Sequence, residues 1–154
     1  MVKSVNLSSV KQMLQEIAEK HGVSVDDMHR PDIKNVKAME DEVHSSSLYT
    51  AIQEMESDAE VELNDFGYEV AWVAKDEQGR KYVMIEEMIP MAPSQEMLKQ
   101  LQLLIRKVMK YKMLHAYINR IIGWGGPLGY WEEEEDNKVY VKVVPYDDEG
   151  EVFT

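Results

Sequence analysis

Four histidines (His21, His29, His44 and His115) and 29 acidic residues are the groups in this chain that could move a proton or hold a metal ion. Their spacing suits neither task. No two histidines stand three or four residues apart, so the helical zinc pattern is missing. Cysteine is absent, which removes disulfides and thiolate metal sites together. There is no G-x-S-x-G elbow, Walker loop or dinucleotide fingerprint. The stretches 76–79 and 147–150 begin like calcium loops but do not continue into the twelve-residue pattern. Glu60, Glu62, Glu86 and Glu87 could attract a divalent ion, yet alternating glutamates on strands describe a wet face. The sequence therefore assigns no catalytic residue, metal site or cofactor.

Binding chemistry is better represented. Trp124-Gly125-Gly126-Pro127-Leu128-Gly129-Tyr130-Trp131 places two of the three tryptophans and three glycines within eight residues. Glycine admits backbone approaches that a side chain forbids, and stiff aromatics are the residues that most often anchor partners. The stretch follows a helix and runs into four glutamates, so a cationic or apolar partner suits it better than an anionic one. Trp124, Gly125, Gly126, Tyr130 and Trp131 are the expected partner-binding residues. The competing reading is a tight connection whose tryptophans pack into the core.

A second candidate is electrostatic. Residues 94–123 carry six bases and one acid, a local charge of +5 in a chain of net −12. At 100° per residue Lys99, Arg106 and Lys110 fall within about 40° of one another, forming a basic ridge. Such a ridge suits nucleic acid or an acidic partner, against a solvated face or pairing with the chain's own acids. Net charge repels phosphate backbones at long range, so nucleic-acid binding would depend on that local ridge.

The element that positions both candidates is a long helix. Met97, Leu101, Leu104, Val108, Tyr111, His115, Ile118 and Ile122 recur in steps of four and three, giving one apolar seam. Ser94 is placed to cap its start, and Gly123 to end it in a left-handed turn. Past Tyr111, Leu114, Tyr117 and Ile121 lie off the seam, so that half should be covered on more sides. His115 sits in the seam and reads as a hydrogen-bonded core residue.

Upstream, Val10, Met13, Leu14, Ile17 and Ala18 mark an amphipathic helix stopped by Gly22. Ser24 begins a short helical phrase, residues 25–29, too short and too acidic to be a recognition helix. Val36, Met39 and Val43 suggest a further helix broken at serines 45–47, and Leu48, Ala51, Ile52 and Met55 another. Alternation at Ala59, Val61 and Leu63 predicts a strand. YEVAWVAK and RKYVMIEEM around DEQG predict a hairpin with a central place in a sheet. GYWEEE and KVYVKVV predict a second hairpin, and the last residues one more short strand.

The expected fold is α+β: an antiparallel sheet of about five strands packed by one long helix, with an N-terminal helical segment. Residues 1–154 are read as a single domain, helical over 1–58 and sheet plus long helix over 59–154. No apolar run reaches membrane-spanning length and the N-terminus lacks a signal-peptide core, so a cytoplasmic location without membrane contact is expected. Functionally the chain reads as a small acidic, non-catalytic interaction protein that binds a protein partner. An inhibitor, immunity-type or regulatory protein of bacterial or phage origin would fit. The alternatives are a nucleic-acid-associated protein using the basic ridge, and a small-ligand binder or unfamiliar enzyme. A homo-oligomer is compatible with the long seam.

Overall fold

The computed structural model describes residues 5–25, 33–75, 77–88, 94–124, 128 and 140–145, with backbone alone at 75, 81, 124 and 140–145. Its elements are α1 (Leu7–Lys20), α2 (Ile33–Ser45), α3 (Ser47–Asp65), β1 (Tyr68–Lys75), β2 (Lys81–Glu87), α4 (Gln95–Trp124) and β3 (Tyr140–Pro145). The chain divides into two compact units, Met1–Glu56 with Lys110–Trp131 and Ser57–Met109 with Glu132–Thr154. Both α3 and α4 contribute residues to each.

In the first unit, α1 begins with a capping box. The Asn6 side chain accepts from the Ser9 N–H at 2.9 Å, and Ser9 Oγ accepts from the Asn6 N–H at 3.0 Å. Gly22, at φ +67°, takes the left-handed conformation that closes the other end. Val10, Leu14, Ile17 and Ala18 are buried at the predicted spacing. They join Met39 and Val43 of α2, Tyr49 and Ile52 of α3, and Leu114, Tyr117, Ile118 and Ile121 of α4 in one core. Ser46 separates α2 from α3: its hydroxyl donates to the Val43 carbonyl at 2.7 Å and accepts from the Tyr49 N–H at 3.3 Å. The phrase at 25–29 lies outside the described residues except for Val25, which is buried.

The second unit holds the sheet. β1 and β2 pair antiparallel, with Tyr68 opposite Glu87 and Lys75 opposite Lys81, and a bulge between Val70 and Trp72. β3 pairs with the other edge of β2 in parallel, Tyr82 opposite Tyr140 and Glu87 opposite Pro145. Central β2 buries Val83, Met84 and Ile85, consecutive residues that point to both faces. Ala59, Leu63, Leu101, Ile105, Val108 and Met109 are the buried helical residues of this unit.

The five-stranded antiparallel sheet is overturned. The described residues form four helices and a small three-stranded sheet, of which only β1 and β2 run antiparallel. Two causes account for the difference. Residues 59–63 continue α3 instead of forming a strand, because Ile52, Ala59 and Leu63 are buried at helical spacing while Val61 is 54% exposed. The stretch KVYVKVV does contribute to a strand, at Tyr140–Pro145, but that strand joins β2 in parallel; the α4 crossover between them allows what a tight turn forbids. Its predicted hairpin partner, GYWEEE, lies outside the described residues, as does the last predicted strand.

α4 starts as expected: the Met97 N–H donates to Ser94 Oγ at 3.2 Å and the Leu98 N–H to the Ser94 carbonyl at 2.9 Å. Its end differs. Gly123 remains helical and the helix runs through Trp124, where two glycines and a proline follow in the sequence. Among the described residues no helix is long and apolar enough to cross a membrane.

Candidate functional site

The best-connected polar cluster lies in the first unit, between α3 and α4. Glu56 Oε2 accepts from His115 Nδ1 at 2.8 Å, and Lys112 Nζ stands 3.5 Å from the other carboxylate oxygen. A carboxylate only accepts, so Nδ1 carries the proton. His115 Nε2 faces the Tyr49 hydroxyl at 2.9 Å, and that hydroxyl also reaches Asn119 Oδ1 at 3.2 Å. The His44 ring lies tilted against Tyr49, 56° between planes and 5.0 Å between centroids. This is a relay of carboxylate, imidazole and phenol, but it ends inside the protein, since Tyr49 is only 5% exposed. Its evident work is to hold α3 to α4. His115 is thus hydrogen-bonded as expected, but it is half-buried and not a core residue, with 26% of its side chain exposed. Its partners Tyr49 and Glu56 were not legible, because 66 and 59 residues separate them from it and no motif links them.

Burial raises the Tyr49 phenol above its ordinary range, with the Glu56 charge adding to the rise and the Asn119 bond opposing it. Tyr68 is raised chiefly by burial and then by Glu87. A raised folded-state value contributes stability that is complete below the unfolded phenol range, near ~10, and is lost as pH climbs through the raised one. Tyr49→Phe should therefore flatten the alkaline loss of stability, measured by urea midpoints on either side of that range. An unchanged slope would contradict the burial of this hydroxyl.

The ridge on α4 has a different character. Lys99, Arg106 and Lys110 are all exposed. Among the described residues Lys99 and Arg106 take no ion pair or hydrogen bond, and Lys110 lies 5.4 Å from the Tyr111 ring centroid. Lys107 and Lys112, off the ridge, each reach a glutamate at 3.5 Å. Pairing with the chain's own described acids is thus not what the ridge does. One residue there escaped the sequence reading: Leu103, 65% exposed, projects among these bases. Its signal was available, as a leucine out of phase with the seam.

Of the Trp-Gly stretch, Trp124 is the last residue of α4, and Gly125, Gly126, Tyr130 and Trp131 lie outside the described residues. Leu128 is buried and tied at both backbone groups: its N–H donates to the Val25 carbonyl at 2.8 Å, and its carbonyl accepts from the Tyr117 hydroxyl at 2.6 Å. Among the described residues no three His, Asp or Glu side chains are grouped to hold a metal ion.

No protein-family model, curated protein or solved structure matches the chain.

Proposed function

We propose that this is a small, acidic, non-catalytic interaction protein that acts in the cytoplasm by binding a protein partner, as an inhibitor or regulator does. The observation that carries the reading is the outward face of α4, where Leu103 stands 65% exposed beside Lys99 and Arg106, cations without partners among the described residues. An apolar centre with a charged rim is the layout of a protein interface. Trp124, Gly125, Gly126, Tyr130 and Trp131 belong to the same proposal as a second contact surface, on the strength of their residue types.

The test is affinity capture with the full chain as bait, followed by identification and reconstitution of what is retained. One protein held at fixed stoichiometry is the expected result. Trp124→Ala should weaken its capture while leaving the thermal midpoint close to wild type if the aromatic stretch takes part. If nothing binds stoichiometrically over a range of salt, the proposal fails.

A nucleic-acid-associated role is the second reading, favoured by the exposure of Lys99, Arg106 and Lys110 together. It requires a steeply salt-dependent affinity for DNA or RNA, destroyed by charge reversal at those three positions. A chain that ignores both polymers at low salt removes it.

A further inference from the structure

Leu103 has Lys99 and Lys107 four residues away on either side and Arg106 three residues on, the spacings at which helical side chains adjoin. At 100° per residue these four occupy an arc of about 100°, while the buried Leu101, Ile105 and Val108 point about 140–160° away from Leu103. All seven lie within the second compact unit. The tie from Lys107 to Glu62 is long, 3.5 Å, and about half-exposed at both ends, so it competes weakly with an incoming carboxylate.

Resting on the protein-binding reading above, we infer that residues 99–107 of α4 dock an acidic amphipathic helix of another protein. Leu103 enters the apolar stripe of that helix, and carboxylates flanking the stripe meet Lys99, Arg106 and Lys107. The row Lys99–Leu103–Lys107 follows steps of four, which fit between the corresponding rows of a second helix. Charge selects the partner's sign. The central leucine selects protein over nucleic acid, because phosphates reward the bases alone and leave the leucine nothing to bury against. A lipid surface asks for a wide apolar face, and this one holds a single apolar side chain. A two-fold contact with a second copy would set cations against cations.

The probe is a synthetic helical peptide with a leucine stripe flanked by glutamates, held helical by a hydrocarbon staple and followed by fluorescence anisotropy. Poly-L-glutamate, duplex DNA and phosphatidylserine vesicles are the comparators. The peptide should bind more tightly than any of them. Leu103→Ala should weaken the peptide about tenfold and leave polyglutamate unaffected. The double variant Lys99→Glu, Arg106→Glu should abolish binding of both, with thermal midpoints near wild type, since all three positions are exposed.

Equal affinity for peptide and polyglutamate, indifference to Leu103→Ala, or preference for DNA or vesicles would overturn the assignment. So would a salt-sensitive dimer that the charge reversal dissolves. Capture of a reconstituted partner that survives both α4 variants sinks this site and leaves the protein-binding function standing. Capture failing altogether sinks both.

Discussion

Replacing Ile118 by alanine should destabilise the protein by about 2–5 kcal/mol, seen as a lower urea midpoint with an unchanged slope. Ile118 is 0% exposed and belongs to the core that joins α1, α2, α3 and α4 in the first unit. Truncation removes its apolar area from that core and leaves a cavity that close-packed neighbours fill only in part. Intrinsic helix propensity acts the other way, because alanine is the better helix former by a few tenths of a kcal/mol. A loss of the expected size therefore measures packing and not helix formation. Leu103→Ala, on the same helix at 65% exposure, supplies the contrast and should stay within about 0.5 kcal/mol of wild type. Similar losses at the two sites would contradict the burial pattern of α4, and with it the outward face on which the docking proposal stands.

That pattern was largely legible. The steps of four and three in residues 97–122 identify the helix; Leu101, Val108, Ile118 and Ile122 of its seam are buried, while Met97, Leu104, Tyr111 and His115 are half-buried. Leu114, Tyr117 and Ile121, expected to be covered in the second half, are buried as well. The hairpin was equally clear, since DEQG ends in a glycine at φ +78° that suits a turn, but only β2 takes the expected central place: β1 lies at the edge of the described sheet, with Trp72 and Val73 exposed. Residues 59–63 were harder. Ala-Glu-Val-Glu-Leu alternates like a strand, yet its first and last members are also four apart and continue the face begun by Ile52. Short apolar runs satisfy both periods, and packing chooses between them. The pairing of β3 was beyond local reasoning, because a strand's own sequence does not say which edge it will join after 52 intervening residues, 88–139. The relay of Tyr49, Glu56, His115 and Asn119 was invisible for the same reason. Each residue is ordinary in its own helix, and the chemistry exists only where the two helices meet.

The relay gives the other large expected effect. Glu56→Ala should cost about 1–3 kcal/mol, because it strips the acceptor from the His115 Nδ1–H and the counter-charge from Lys112 in a partly buried place. Alanine again favours the helix, so the loss cannot come from α3 itself. The matched comparison is Glu62→Ala in the second unit. Glu62 meets Lys107 at 3.5 Å, the same separation as Glu56 and Lys112, but its side chain is 52% exposed against 17% for Glu56. Solvent screens the first pair and much less the second, so Glu62→Ala should change stability by less than about 0.5 kcal/mol. A double-mutant cycle isolates the contact. If Glu56 and His115 act through one hydrogen bond, the double variant Glu56→Ala, His115→Ala should lose less than the two single losses combined, by about 0.5–3 kcal/mol. Additive losses would mean that the carboxylate and the imidazole do not meet, and α3 would then be held to α4 in the first unit by apolar packing and the remaining polar ties, the Tyr49 hydroxyl among them.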